Sequence, residues 1–283
     1  MGVPYSLTVN CNSLLLQSGI AATALESIMG SIVNNRPVFL FVTGAWHPPA
    51  CYESLRTELG TSGYECLIPQ MPSMGHDTNG VTWEADKAKV LETAAPYFED
   101  GREVVLVGHS YGGIPATVAT EGQGVEERAA KGLKGGFRSI IFLAAFAVPV
   151  KGWDLLTTFG GEWPDWQNPG EAYTKNKLST LNHIAFEKLY NDASEEEAKE
   201  IFAKVLPHSQ DAFETGINFI ASDITIPKTY LICENDLVFP LSLQEQLVRH
   251  TPGMKEMRIA AGHSPFLGKC PELSNLLIEI AES

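Results

Sequence analysis

Ser110 stands between Gly108 and Gly112 in VVLVGHSYGGIPA, residues 104–116. Four apolar residues run into the first glycine and a helix-forming run follows the second, so the serine sits at a strand-to-helix corner. Gly and Ser end many strands, because both suit tight turns. In G-x-S-x-G the pair has a sharper use: the glycines let neighbouring backbone pass close, and the serine hydroxyl is held out as a nucleophile. Such a hydroxyl attacks only when a base takes its proton, and the base needs a third group to fix its tautomer. The rest of the chain must therefore supply a histidine, an acid and donors for an oxyanion.

The candidates lie late in the chain. LICENDLVFP places Asp236 three residues past an apolar run at 230–233, and RIAAGHSPF places His263 just past another. The order Ser110, Asp236, His263 is one of the chain orders in which such triads occur. Glu234 is nearer its strand end and competes for the role of acid; Asp223 precedes the strand and fits poorly. Of the other histidines, His109 belongs to the serine corner, and His183 and His208 lie in a long intervening segment. His47 and His76 fall in earlier loops and His250 ends a helix, so each of these reads as a surface residue. One oxyanion donor is the backbone N–H of Tyr111, directly after the serine. The second is the N–H of Ala45, in VTGAWHPP, where Gly44 permits a close turn.

The elements that must carry these loops alternate. Buried-strand runs at 38–42, 64–69, 103–108 and 137–146 interleave with helical patterns, and strand and helix runs resume after 226. The last helix starts at Pro271 and carries Leu273, Leu276, Leu277 and Ile280 on one face. Alternation of this kind predicts a parallel sheet covered by helices on both faces, with all four loops at its C-terminal edge. Residues 148–226 break the pattern. They read as a mainly helical cap with a capping box at Ser194 and Glu197, inserted where ligands bind in such sheets. The expected organisation is therefore an N-terminal extension (1–35), a core (36–147 and 227–283) and a cap (148–226).

At 283 residues, with 44% hydrophobic and 19% charged residues, the chain has the composition of a globular protein with a sizeable core. A net charge of −14 without a basic cluster argues against nucleic acid or an anionic membrane as partner. Five cysteines without a C-x-x-C pair predict reduced thiols in a cytoplasmic protein, with no zinc site. The stretch from 13 to 33 is apolar, but no basic residue precedes it and Glu26 interrupts it, so neither a signal peptide nor a membrane span is expected. Leu14, Ser18, Ala21, Leu25, Ile28 and Ile32 instead predict an amphipathic helix that docks on the body or on a second subunit of a homodimer.

From about 37 to 280 the chain resembles the α/β-hydrolase superfamily, in particular the methylesterase/hydroxynitrile lyase-like serine hydrolases. The resemblance rests on GAWHPPACYESL, GHSYGG, LAAFAVP, TYLICENDLVFP and GHSPFLGKCPEL, met in that order. It implies an α/β-hydrolase fold, Ser110, Asp236 and His263 as triad, Ala45 and Tyr111 as oxyanion hole, and no cofactor. The lyases of this group carry a Lys after the catalytic His and a Thr before the oxyanion residue; Ser264 and Gly44 stand here, as in the esterases. Thr43 replaces the usual His of the oxyanion loop, and residues 1–35 have no counterpart. The expected pocket wall is Trp46, Phe146, Trp163, Phe239 and Phe266, which suits a small, largely apolar ester or lactone cleaved through an acyl-enzyme. A non-hydrolytic lyase or cyclase, or a ligand receptor keeping the triad, are the alternatives on the same scaffold.

Overall fold

Strand β1 (Val38–Val42) is buried at every residue, as a strand covered on both faces must be. In the computed structural model, which describes residues 36–170 and 177–283, it lies within a six-stranded sheet. The helix expected across residues 14–32 falls outside the described residues. A single 3₁₀ turn (Pro49–Tyr52) leads into α1 (Glu53–Thr61), which returns the chain to β2 (Cys66–Leu67). Only two residues of the expected second strand, Cys66 and Leu67, pair with β1, at the edge of the sheet. Helix α2 (Trp83–Glu99) starts where the Thr82 hydroxyl accepts from the Glu84 N–H. It buries Val90, Ala94 and Phe98, and also Asp86.

Strand β3 (Glu103–His109) runs down the centre and passes through a 3₁₀ turn at Ser110–Gly112 into α3 (Gly113–Ala119), a helix buried at every position. After α4 (Val125–Ala129) comes β4 (Gly136–Leu143). The segment that follows holds α5 (Leu155–Thr158), β5 (Gln167–Asn168), β6 (Leu178–Leu181), α6 (His183–Tyr190), α7 (Glu195–Phe202), β7 (His208–Ser209) and α8 (Asp211–Glu214). Alongside the expected helices it therefore contains a three-stranded antiparallel sheet, β5-β6-β7. Strands of two to four residues are too short to show alternation in sequence. The Ser194–Glu197 capping box opens α7 as predicted.

The core resumes with β8 (Lys228–Cys233), α9 (Leu241–His250), β9 (Met254–Ile259) and α10 (Cys270–Glu282). Strand order is β2-β1-β3-β4-β8-β9, parallel at every pairing. Since all strands point one way, the loops after β1, β3, β8 and β9 emerge on one edge. Those loops carry Ala45, Ser110, Asp236 and His263. The four described cysteines, Cys51, Cys66, Cys233 and Cys270, are buried free thiols, and among the described residues no helix is long and apolar enough to cross a membrane.

Candidate active site

Ser110 has φ +52°, a left-handed conformation that a residue with a side chain adopts only when its surroundings impose it. The surroundings are visible. A Cβ at Gly112 would land on the Val42 carbonyl oxygen, and one at Gly108 would stand 2.8 Å from the Gly112 oxygen. Both glycines are thus required by backbone crowding around the corner. The Phe146 N–H donates to the Ser110 carbonyl (3.1 Å), tying the corner to the chain after β4.

Asp236 and His263 are both buried and lie 2.7 Å apart, Oδ2 to Nδ1. The other carboxylate oxygen of Asp236 accepts the N–H groups of Val238 and Phe239, each at 2.8 Å. The carboxylate is therefore fixed by three hydrogen bonds, and a proton on His263 Nδ1 directed at it leaves Nε2 as the lone-pair nitrogen. Glu234 is exposed and faces Arg258 at 3.7 Å, away from this pair. No hydrogen bond joins the Ser110 hydroxyl to His263 among the described residues; pairs of this kind are often loose before substrate tightens them.

Ala45 is buried, yet its N–H has no acceptor among the described residues. A buried unpaired donor is rare and costs about 1–3 kcal/mol, and this N–H is open to an incoming acceptor. Tyr111 sits in the first turn after the serine, where N–H groups lack intrahelical partners. The loop bearing Ala45 is wired to the loop bearing His263. The Gly44 N–H donates to the Tyr52 hydroxyl (3.0 Å), which donates to His109 Nδ1 (2.8 Å), and His109 Nε2–H donates to the carbonyl of His263 (2.9 Å). The tautomer follows, because a carbonyl only accepts. Burial, with His263 nearby, holds the His109 imidazole neutral by lowering its pKa well below 6.5. A second imidazole steadies the loop from the other side: His47 Nδ1–H donates to the Ala45 carbonyl (2.7 Å), and burial lowers its pKa to about 4.

Beneath Tyr111 lies a cluster that no spacing in the sequence marks. Asp86, fully buried, accepts the Tyr111 hydroxyl (2.5 Å) and the Ser73 N–H (2.9 Å), and meets the Ser73 hydroxyl at 2.6 Å. That hydroxyl is also 3.0 Å from His208 Nε2, while His208 Nδ1–H donates to the Ser209 carbonyl. Burial lowers the His208 pKa to about 3, so the ring is neutral and its Nε2 needs a donor. Ser73 has one hydroxyl proton for two acceptors. The bonds close if Asp86 keeps its own proton and gives it to Ser73, which gives its proton to His208. Burial, the largest influence on Asp86, raises its pKa in the same direction. His47 and His208, expected as surface residues, are buried, as is His109 at the serine corner, and each has fixed hydrogen-bond partners.

The expected pocket wall divides into three parts. Phe146 and Phe239 meet edge-on at 4.9 Å and share Phe159 as a third ring. Trp46, at φ +63°, and Trp163 each pack on Phe213 (5.6 and 5.7 Å), a residue the sequence does not single out. Phe266, fully buried like Phe239, packs on Tyr52 (4.2 Å) and His109 (5.4 Å) and so braces the wire between the two loops.

A parallel sheet that carries a strained serine corner, a carboxylate-held histidine and a free backbone donor on one edge defines a class. The chain belongs to the alpha/beta hydrolase family, whose model matches residues 39–273. It is similar to alpha/beta hydrolase nvfD of Aspergillus novofumigatus, 29% identical and covering 84% of this chain and 93% of that one. It is also similar to norfluorocurarine synthase 2 of Strychnos nux-vomica (26%; 86% and 95%) and methylesterase 4 of Arabidopsis thaliana (24%; 88% and 97%). The crystal structure of polyneuridine aldehyde esterase superposes with a TM-score of 0.70 at 19% identity, covering 87% of this chain and all of that one. The resemblance to methylesterases read from the motifs holds.

Proposed function

We propose that the protein is a serine hydrolase of the carboxylesterase or lactonase type, acting on a small, largely apolar ester. The observation that carries this is the Asp236 carboxylate, which takes two backbone N–H groups on one oxygen and His263 Nδ1–H on the other. An imidazole held in that tautomer can take a proton only at Nε2. Ser110 Oγ attacks the ester carbonyl carbon as its proton passes to His263 Nε2, and the oxyanion is received by the N–H groups of Ala45 and Tyr111. The carbon–oxygen bond to the alcohol then breaks, with His263 returning the proton to the leaving oxygen. Water, deprotonated by the same nitrogen, releases the acid from Ser110. Residues 148–226 act as the cap, and the rings of Trp46, Phe146, Trp163, Phe213 and Phe239 offer no charge to a substrate, which favours a neutral acyl or alcohol group.

Gly44 favours the esterase reading because the esterases of the group carry Gly and the lyases Thr at this place; a Cβ here would stand 2.8 Å from His109 Nδ1, so the surroundings of this chain fit the glycine. The synthase name of one relative favours a second reading, a non-hydrolytic reaction at the same serine corner. Both are tested by treating the protein with a fluorophosphonate probe and then with p-nitrophenyl esters of increasing chain length. Labelling of the wild type but not of Ser110→Ala, with a burst of nitrophenol and steady turnover, is expected. In the Ser110→Ala variant turnover should fall to the residue left by the oxyanion donors and binding, on the order of 10³-fold over water. Labelling without ester turnover would favour the second reading, and wild-type turnover in Ser110→Ala would refute both.

A further inference from the structure

Three consecutive residues at the end of α6 each hold a different loop of the proposed catalytic machinery. The Tyr190 hydroxyl donates to His47 Nε2 (2.7 Å), and His47 in turn grips the Ala45 carbonyl. The Asn191 side-chain amide donates to the carbonyl of Asn235 (2.9 Å), the residue before Asp236. Asp192 Oδ2 accepts the N–H of Gly262 (2.6 Å), the residue before His263. The approach is close enough to dictate sequence: a Cβ at Gly262 would collide with the Asn191 amide oxygen and one at Gly268 would stand 2.5 Å from the Asp192 carbonyl. Each hydrogen bond is of the ordinary stabilising kind, but their endpoints are not scattered. They fall one or two residues from Ala45, Asp236 and His263.

We propose that Tyr190, Asn191 and Asp192 form a three-point clamp that positions the oxyanion, acid and base loops relative to one another. They are positioning residues and touch no reacting atom. The proposal rests on the hydrolase reading for its kinetic consequence but not for its geometric one. The parallel sheet sets where the three loops start; β8 and β9 are neighbours and the Asn235 N–H donates to the Ala261 carbonyl (3.0 Å) between their loops, but β1 is separated from β8 by two strands, so backbone pairing does not tie the Ala45 loop to the other two. The clamp grips all three loops from a single helix end, in addition to the path through Tyr52 and His109. Reaction geometry at a site of this kind is sensitive to displacements near 1 Å, which cost on the order of 100-fold in rate.

The test uses the full chain. Asp192→Ala and Asn191→Ala each remove one grip, whereas Asp192→Asn keeps an acceptor for the Gly262 N–H and serves as the conservative rescue. Asn191→Asp keeps the shape but loses the donor. Three measurements are made: the rate of Ser110 labelling by a fluorophosphonate, kcat and KM on p-nitrophenyl butyrate, and the downfield proton resonance of His263 Nδ1–H bonded to Asp236. Expected for Asp192→Ala, Asn191→Ala and Asn191→Asp are a kcat and labelling rate lowered about tenfold or more with KM changed little, as for interactions expressed in the transition state. The downfield resonance should shift or broaden in the same three variants, and Asp192→Asn should return to near wild type. If the alanine variants label at the wild-type rate and keep the resonance unchanged, the clamp is wrong. If they fail to fold, Asn191→Asp and Asp192→Asn decide, since a clamp separates them and a merely structural turn would not. If the wild type is not labelled yet the resonance moves as described, the clamp stands and the hydrolase reading falls.

Discussion

Asp86 offers a quantitative test of the proton count beneath Tyr111. In Asp86→Ala the Tyr111 hydroxyl and the Ser73 N–H both lose their acceptor in a fully buried place. At roughly 1–3 kcal/mol for each buried unsatisfied group, the loss is about 2–6 kcal/mol, a large share of a typical folding free energy. In Asp86→Asn the amide oxygen still accepts from the Ser73 N–H and the amide nitrogen donates to the Ser73 oxygen, as a protonated acid would. Only the Tyr111 hydroxyl is left without an acceptor, so the cost falls to about 1–3 kcal/mol, and Tyr111→Phe in the same chain should recover most of it. The dependence on pH has a definite sign. The carboxyl pKa of Asp86 is raised above its ordinary 3.8, chiefly by burial. A raised value means that folding favours the protonated form; its stabilisation is complete below 3.8 and is lost as pH climbs through the folded-state value. Wild type should therefore lose its advantage over Asp86→Asn with rising pH, by at most about 1.4 kcal/mol per pH unit within that window. Urea unfolding followed by tryptophan fluorescence at a series of pH values measures the gap. An advantage that grows with pH would mean that Asp86 is stabilised as a carboxylate, and the proton count would be wrong.

Asp236→Asn should lower ester turnover by about 10⁴-fold, because an amide favours the wrong imidazole tautomer, while Glu234→Gln at the exposed Arg258 contact should leave it near wild type; the reverse pattern in steady-state rates would reassign the acid. Tyr52→Phe leaves the Gly44 N–H and His109 Nδ1 without their shared partner and should cost about 2–6 kcal/mol in urea unfolding. It should also depress kcat, since it severs the oxyanion loop from the base loop; unchanged stability and rate would mean the wire is idle. Gly112→Ala drives a Cβ onto the Val42 carbonyl and should cost about 3 kcal/mol or more, at the top of the overpacking range, because backbone cannot step aside. Gly60→Ala, in α1 where a Cβ meets nothing within 4 Å, should instead stabilise by about 0.5–1 kcal/mol, and comparison of the two melting curves checks the assignment.

What the sequence by itself determined are the features written in local pattern. Unbroken apolar runs such as VFLFV and VVLVG mark doubly covered strands, and their alternation with helices implies a parallel sheet. Once the strands are parallel, their following loops share one edge, so Ser110, Asp236, His263 and Ala45 converge by topology without any knowledge of side chains. The two glycines around Ser110 are legible from the G-x-S-x-G pattern, although only the crowding at Gly108 arises within the turn; that at Gly112 comes from Val42 and Thr43 after β1. Other features depend on tertiary structure because they join residues far apart in the chain, with no period or spacing to announce them. The choice of Asp236 over Glu234 turns on which carboxylate points at His263, two positions apart on one loop. Phe266 looks like any ring near a pocket, and only packing reveals it against Tyr52 and His109. Asp86 meets Ser73 and Tyr111 from the buried face of an otherwise amphipathic helix, and Tyr190, Asn191 and Asp192 reach loops from 44 to 143 residues away. Hydrogen bonds of that reach are set by how the inserted segment seats on the sheet, a long-range packing decision that local sequence does not encode.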